Sequence, residues 1–164
     1  MKQTYNLIIG PGAWNTQPEN MPDKKGIYFV YRCKTKVDDN GKVVLDKNRK
    51  PVQCLDKLLY IGESGDVRRR MKDHNRDDDV RTKDVPAEEA LYYAFAPFEG
   101  TDDERIRLES AIIFYHRKVL PNGVGNKKNT KTFPYDETTV VISGKYTFGL
   151  STSFVQPRVD KPEE

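Results

Sequence analysis

The stretch KKGIYFVYRCK, residues 24–34, predicts the strand around which the rest of the fold is arranged. Apolar and polar side chains alternate from Gly26 onward, and this period of two is typical of a half-buried strand. Alternate side chains would point to opposite faces of a sheet: Ile27, Phe29 and Tyr31 to one face, and Tyr28, Val30 and Arg32 to the other. The Gly-Ile-Tyr triplet therefore places one tyrosine on a sheet face near the start of this strand.

Two further stretches predict neighbouring strands. DKLLYIGES, residues 56–64, carries a second triplet, Tyr-Ile-Gly, and is expected to pair with the first strand. Residues 34–55 between them contain an Asn-Gly pair flanked by valines, so we expect an elaborated hairpin insertion rather than a linker. EALYYAFAP, residues 89–97, is rich in aromatic residues and is expected to form a third strand.

A short helix is expected after the second triplet. Ser64 can cap it, and Val67, Met71 and His74 recur at the spacing of one helix face. Arg70 lies three residues after Val67 and four before His74. Arg70 and His74 are therefore expected to project side by side.

The clearest helix is predicted over residues 100–123, GTDDERIRLESAIIFYHRKVLPNG. Thr101 or Asp102 can cap it, acidic residues occupy the first turn, and basic residues occupy the last. Pro121 and Gly123 are expected to end it.

Glu109 lies at the edge of the predicted core face of this helix, which carries Ile106, Ile112 and Ile113. A carboxylate at such a position costs free energy unless a partner, a proton or a cation compensates for it. Arg105, four residues earlier, is the one evident partner on the same helix face.

The 164 residues are expected to form a single domain over residues 1–155. We expect residues 1–25 to form an ordered arm that lies against the domain. Residues 138–155 resemble a short hairpin that turns at residues 143–144, and residues 156–164 are expected to be a disordered tail.

The composition, with 36% hydrophobic and 32% charged residues, is typical of a soluble globular protein. No window approaches the roughly 18 consecutive apolar residues of a membrane span, and the first residues lack the features of a signal peptide, so the expected location is cytoplasmic. Cys33 and Cys54 are the only cysteines, which argues against a disulfide scaffold or a structural zinc site. The strand pairing would place them nearly opposite each other, where reduced packing cysteines are favoured over a bridge.

The net charge of +3 is too small to indicate nucleic-acid binding by itself, but its distribution is uneven. VRRRMK, residues 67–72, holds four basic residues, and residues 116–131 hold five Lys or Arg and no carboxylate. The basic residues expected to bind nucleic acid are Arg68, Arg69, Lys72, Lys127 and Lys128. Ordinary solvated surface charge is the alternative interpretation.

These residue types suit phosphodiester chemistry. An arginine can bind phosphate oxygens with two parallel hydrogen bonds, and Mg²⁺ is held by one or two carboxylates together with phosphate and water. GIY at 26–28, YIG at 60–62, then Arg70, His74, Glu109 and an asparagine after a proline follow one another in this order. In this order they resemble the GIY-YIG endonucleases.

The resemblance covers about residues 26–126 and implies an α+β fold with a small three-stranded antiparallel sheet flanked by helices. It implies hydrolysis of DNA, with RNA not excluded, by means of one divalent cation, Mg²⁺ or Mn²⁺, held by Glu109. Arg70 would contact the scissile phosphate, and Tyr28 and Tyr60 would position or deprotonate the attacking water. A tyrosine is a poor base at neutral pH unless nearby positive charge lowers its pKa from about 10. Tyr28 is favoured as the base and Tyr60 as its partner, although the choice stays open.

His74 matches a family position held by His or Tyr that handles protons or contacts phosphate. The sequence departs from the family pattern at three other places. The family's Pro-x-x-Asn spacing is replaced by PNGVGNKK, residues 121–128, and we choose Asn126 over Asn122 as the catalytic asparagine because basic residues follow it. Glu63 would repel phosphate and reduce activity unless it turns away or shares the metal. The connection between the two triplets is also longer than in the family, which makes the hairpin an insertion.

Two other classes of function compete with an endonuclease. One is a nucleic-acid-binding module that keeps the fold and has lost catalysis, and the other is a protein-interaction scaffold. Each feature also has an ordinary explanation: Tyr28 and Tyr60 can pack across strands, and Arg70 can pair with Asp66. The position of these side chains in the fold separates the explanations.

Overall fold

A computed structural model of the chain describes residues 3–14, 16–76, 91–116, 136–145 and 147–159, with the backbone alone for residues 74–76. Its strands are β1 (Gln3–Trp14), β2 (Gly26–Thr35), β3 (Gln53–Ser64), β4 (Leu91–Pro97), β5 (Thr138–Gly144) and β6 (Ser153–Gln156). Its helices are α1 (Val67–Arg76) and α2 (Asp102–His116), and a 3-10 turn spans Pro18–Asn20.

All six strands belong to one mixed sheet, which curls into a half-barrel in the order β3-β2-β4-β1-β5-β6. The three predicted strands β2, β3 and β4 are confirmed as neighbours and pair antiparallel. The expected three-stranded sheet is nevertheless too small, because β1 pairs antiparallel with β4 and parallel with β5. The fold class is α+β, as expected.

The N-terminal segment, expected as an arm, is instead strand β1 of the sheet. Its pairing with β4 shifts register between Gly10 and Ala13. A Cβ atom at Gly12 would lie 1.6 Å from the carbonyl oxygen of Tyr93, so only glycine permits this close approach of the backbones. Gly10, Pro11 and Gly12 therefore lie at a bulge within a strand.

Strand β2 shows the predicted alternation but is buried on both faces rather than on one. Ile27 and Phe29 belong to a core cluster that includes Leu108 and Ile112 of α2. Tyr28 belongs to a second cluster on the other face, which includes Val67 and Met71 of α1. Helix α2 covers the face that carries Ile27, and α1 covers the face that carries Tyr28. Both faces of the strand are therefore protected from water.

Helix α1 begins as expected, but its cap is Asp66 rather than Ser64. Asp66 Oδ1 accepts a hydrogen bond from the Arg69 backbone N–H at 3.1 Å, which is the geometry of an N-cap. Ser64 Oγ instead accepts from the Asp66 N–H at 3.0 Å and so shapes the turn before the helix.

Helix α2 is capped by Thr101, one of the two predicted caps, whose Oγ1 accepts from the Glu104 N–H at 3.2 Å. Its core face differs from the prediction, because Ile106 is 42% exposed. Ile112 and Ile113 are buried as expected, and Leu108 replaces Ile106 in the core. The expected end at Pro121 and Gly123 lies outside the described residues.

The insertion between β2 and β3 is an elaborated hairpin, as predicted, and it contains two copies of one turn. Asp38 Oδ1 accepts from the backbone N–H groups of Asn40 and Lys42, and Asp46 Oδ1 accepts from the corresponding groups eight residues later. Gly41 and Arg49 occupy the same left-handed position, at φ 78° and φ 60°. This eight-residue repeat was not recognised in the sequence.

The C-terminal hairpin is present as the antiparallel pair β5–β6. Its connection runs from Lys145 to Thr152, which is longer than the expected turn at residues 143–144. Gln156, expected as the first residue of a tail, is the last residue of β6 and is buried. Residues 160–164 lie outside the described part.

Cys33 and Cys54 are both free thiols, as expected. They lie diagonally across the β2–β3 ladder, where Cys33 pairs with Leu55 and Lys34 with Cys54. Neither of the helices that the structure describes is long and apolar enough to cross a membrane.

Candidate active site

The two motif tyrosines lie together on the α1 face of the sheet. The rings of Tyr28 on β2 and Tyr60 on β3 stack with centroids 5.8 Å apart and an angle of 19° between their planes. Gly62 lies directly opposite Tyr28. A Cβ atom at Gly62 would lie 2.4 Å from the Tyr28 hydroxyl and 2.7 Å from the Tyr60 ring, so the second triplet needs its glycine to admit both phenols.

Arg70 of α1 joins the two phenols. Its side chain hydrogen-bonds both Tyr28 and Tyr60. The residue itself is exposed, whereas both tyrosines are buried. A guanidinium that is anchored on buried phenols and still open to solvent can reach a phosphate, and the alternative pairing of Arg70 with Asp66 is not needed to explain its position.

The electrostatic environments of the two phenols differ. Burial and the neighbouring Tyr60 raise the pKa of Tyr28 well above its ordinary value of 10. Burial also raises the pKa of Tyr60, but hydrogen bonds from Tyr28 and Arg70 act in the opposite direction. Arg70 acts on both phenols, because its charge and its hydrogen bond also lower the pKa of Tyr28. The hydrogen bond between the two phenols lowers the pKa of Tyr60 and raises that of Tyr28, so this bond favours ionisation of Tyr60 over that of Tyr28.

Glu109 reaches this end of the sheet from α2. Its carboxylate is buried, and Oε1 accepts a hydrogen bond from the backbone N–H of Glu63 at 3.0 Å. The negative charge of Glu109 raises the pKa of Tyr60, which places the carboxylate within electrostatic range of the stacked phenols. Four of the residues predicted for the site, Tyr28, Tyr60, Arg70 and Glu109, therefore lie at one end of the β2–β3 pair.

Glu63 turns away from the phenols and pairs with Arg105. Arg105 donates from Nε to Oε2 of Glu63 at 2.5 Å and also pairs with Asp102 at 3.0 Å. Arg105 is buried. Among the described residues, its Nη1 is the one buried side-chain nitrogen or oxygen atom that lacks a hydrogen-bond partner. Glu63 was expected to repel phosphate unless it turned away. It does turn away, because its carboxylate pairs with the guanidinium of Arg105.

The donors at this site suit a hard divalent cation held by few protein ligands. Glu109 provides a buried carboxylate whose Oε1 is oriented by a backbone N–H, and a water-rich site with a single carboxylate is compatible with Mg²⁺. Among the residues that the structure describes, no three His, Cys, Asp or Glu side chains form a metal-binding group. The residues thus fit a cation shared with substrate oxygens better than one enclosed by protein.

The predicted nucleic-acid-binding residues of α1 have different environments. Arg69 and Lys72 are exposed, whereas Arg68 donates from Nε to the carbonyl oxygen of Met21 at 2.6 Å. Arg68 therefore holds the N-terminal segment against α1. Asn126, Lys127 and Lys128, together with the rival Asn122, lie outside the described residues, and so does the side chain of His74.

Two structural residues of α2 were not predicted. Arg105 was recognised only as a partner for Glu109, and its bond to Glu63 spans 42 positions in the sequence. His116 is buried, with Nε2 accepting from the Ser151 N–H at 2.9 Å and Nδ1 bonded to the Ile112 carbonyl at 2.8 Å. No local pattern signals either contact, because each depends on how α2 packs on a distant segment.

No family model, curated protein or solved structure matches this chain.

Proposed function

We propose that this chain is a metal-dependent endonuclease that hydrolyses DNA phosphodiester bonds, on a fold that elaborates the GIY-YIG core with three additional strands. The observation that carries the proposal is the joint placement of two hydrogen-bonded phenols, Tyr28 and Tyr60, with Arg70 and the charge of Glu109. Structural packing alone accounts for stacked rings. It does not account for an exposed arginine on their hydroxyls and a buried carboxylate beside them.

Arg70 has the first role in the proposed mechanism. Its guanidinium would bind non-bridging oxygens of the scissile phosphate, since it is open to solvent and held in place by two phenols. This contact would orient the phosphorus atom toward the water beside the tyrosines.

Tyr60 is the favoured general base, in place of Tyr28. Burial opposes the ionisation of both phenols and Arg70 favours it in both, but the hydrogen bond between the phenols lowers the pKa of Tyr60 and raises that of Tyr28. Tyr60 would take a proton from the attacking water as the water oxygen bonds to phosphorus and the bond to the leaving oxygen breaks. Tyr28 would hold Tyr60 in place as a hydrogen-bond donor.

Glu109 would hold the divalent cation. When bound, the cation would supply positive charge that stabilises the developing phosphate charge and lowers the pKa of neighbouring acids. The hydrogen bond from the Glu63 N–H to Oε1 keeps the carboxylate in position for this role.

Plasmid nicking tests the proposal. Supercoiled DNA incubated with the protein should be nicked in Mg²⁺ or Mn²⁺ and left intact in EDTA, and Glu109→Gln should abolish nicking. Glu99→Gln is a matched control, because Glu99 is an exposed carboxylate on the loop before α2. A structured RNA tested in parallel separates the two nucleic acids. Metal-independent nicking, or an active Glu109→Gln protein, would contradict the assignment.

A binding module without catalysis is the second candidate. The observation that favours it is that the pKa values of both phenols are raised, so that neither is ionised at neutral pH in the protein alone. In that case DNA binding should weaken steeply with salt, because Lys and Arg contacts release counterions. Binding should also be insensitive to EDTA and to Glu109→Gln, with no nicking under any condition.

A further inference from the structure

A cleft of about 350 Å³ lies at the end of the sheet opposite to the catalytic tyrosines. It is formed by the last residues of β1, the 3-10 turn that follows, the first residues of β3, and Tyr92 of β4. The side chains that determine its chemistry are Trp14, Gln17, Asn20, Gln53, Cys54 and Tyr92. Its volume lies near the lower end of the range for small-molecule sites, roughly 300–1,000 Å³.

One part of the cleft is aromatic and rigid. The rings of Trp14 and Tyr92 meet edge to face, with centroids 5.0 Å apart and 78° between their planes. The Tyr92 hydroxyl accepts a hydrogen bond from the Gly12 N–H at 2.9 Å. Since the backbone at Gly12 is pressed against Tyr93, this hydrogen bond fixes Tyr92 against a segment that cannot shift freely.

The rim of the cleft carries carboxamides. Asn20 Nδ2 donates to Gln17 Oε1 at 3.2 Å, and Gln53 Nε2 donates to Thr35 Oγ1 at 3.2 Å. These bonds orient the amides and do not use the nitrogen of Gln17 or the oxygens of Asn20 and Gln53. Donors and acceptors thus stand beside an aromatic surface.

Among the described residues, the lining contains no carboxylate, lysine, arginine or histidine, and its ionisable side chains are the Cys54 thiol and the Tyr92 phenol, both neutral in their protonated forms. These residues therefore offer a phosphate no cation. A flat, neutral group with a π-face and a hydrogen-bonding edge fits both the rings and the amides, and Asn and Gln are the side chains that pair with such edges on bases.

We propose that this cleft binds one unpaired nucleobase of the substrate, an inference that rests on the proposed nuclease function. Along β3, Leu55 and Tyr60 are five residues apart, or ~16 Å at the rise of a strand. The bound base would belong to a nucleotide several positions from the cut phosphate. The cleft would favour substrates with a single-stranded or bulged nucleotide there.

Trp14 is the only tryptophan, so its fluorescence reports directly on the cleft. We would titrate the protein in EDTA with a single-stranded deoxyadenosine oligonucleotide and with an abasic oligonucleotide of equal length and charge. The base-containing strand should quench Trp14 and slow alkylation of Cys54, and the abasic strand should do neither. Gln53→Leu should weaken the quenching affinity about 10-fold, whereas Asn6→Leu, a change of an exposed amide at the far end of β1, should not.

The outcomes separate the two proposals, since cleavage is not measured in EDTA. Equal quenching by the abasic strand, no quenching by either strand, or stronger quenching by a neutral oligosaccharide would each overturn the base-binding assignment, whether or not the protein nicks DNA. Base-dependent quenching by a protein that fails to nick DNA would support the cleft and contradict the nuclease proposal.

Discussion

Gly62 and Tyr28 lie directly opposite each other on the β2–β3 ladder, and a Cβ atom on Gly62 would lie 2.4 Å from the Tyr28 hydroxyl. The two triplets are therefore coupled through space. The glycine of the second triplet creates the volume that the tyrosine of the first one fills, and this explains why a glycine and a tyrosine recur together at neighbouring strand ends.

Replacement of Gly62 by alanine should displace the phenols. We expect the free energy of unfolding to fall by about 1–3 kcal/mol, as in other overpacked sites. Nicking should fall by roughly 10²-fold, because a misplacement of about 1 Å can cost that much. Urea unfolding and plasmid nicking measure the two effects.

Gly65→Ala is the matched control for this prediction. A Cβ atom at Gly65 meets nothing closer than Arg105 Nη2, at 3.8 Å. Its stability and nicking should stay close to those of the unchanged protein. If Gly62→Ala behaves like Gly65→Ala, the close packing of Gly62 against Tyr28 is not important for the site.

The pH dependence of nicking should distinguish the two tyrosines. The hydrogen bond with Tyr28 lowers the pKa of Tyr60, so Tyr28→Phe should raise that pKa. A base acts in its deprotonated form, and the rising limb of the pH–rate profile should therefore move to higher pH in Tyr28→Phe. The loss of nicking rate in Tyr28→Phe, relative to the unchanged protein, should shrink as pH increases. Tyr60→Phe should be inactive throughout, and the reverse pattern would identify Tyr28 as the base.

Glu63 should support activity rather than reduce it. Its bond with Arg105 holds the strand end whose N–H donates to Glu109. Glu63→Gln weakens that ion pair, and we expect a loss of roughly 1–2 kcal/mol in unfolding free energy. The Mg²⁺ concentration for half-maximal nicking should rise by up to about 10-fold, as for other residues that orient a metal ligand.

A merely structural role would leave that Mg²⁺ dependence unchanged. Glu99→Gln, which removes an exposed carboxylate, provides the baseline for both measurements. Faster nicking by Glu63→Gln would instead support repulsion between Glu63 and phosphate.

The central strands and their tyrosines were predictable because strand alternation is local. The register that places Tyr28 and Tyr60 on one face follows from two runs of apolar residues with opposite direction. Strand β1 was missed, because its Gly and Pro residues are typical of loops when bulges are not considered. The eight-residue turn repeat was missed because Arg49 takes the left-handed position that Gly41 occupies in the first copy.

The face of α2 was predicted only in part. Apolar residues lie on most sides of this helix, so the sequence alone does not decide between Ile106 and Leu108 as the core residue. Packing against β2 selects Leu108. The same rotation of the helix brings Arg105 to Glu63, a contact that no local spacing could indicate.

His116 should make stability depend on pH. Burial lowers its pKa below the ordinary value of 6.5, and its ring is neutral where Nε2 accepts from the Ser151 N–H and Nδ1–H donates to the Ile112 carbonyl. Once pH falls below about 6.5, His116 therefore binds a proton more readily in the unfolded chain than in the folded one. The stability that His116 contributes should be present above about pH 6.5 and lost as pH falls toward the lowered pKa.

His116→Gln tests this directly. At about pH 7.5 the substitution should lower the free energy of unfolding by roughly 1–3 kcal/mol, since two buried hydrogen bonds are disturbed. Between about pH 7 and about pH 5 its unfolding free energy should fall less than that of the unchanged protein, because the titrating ring is gone. Urea unfolding at several pH values measures the difference, in which contributions common to both proteins cancel. If the unfolding free energies of the two proteins ran parallel over this pH range, the prediction would be wrong. Protonation of His116 would then not be what destabilises the packing of α2 on the β5–β6 connection.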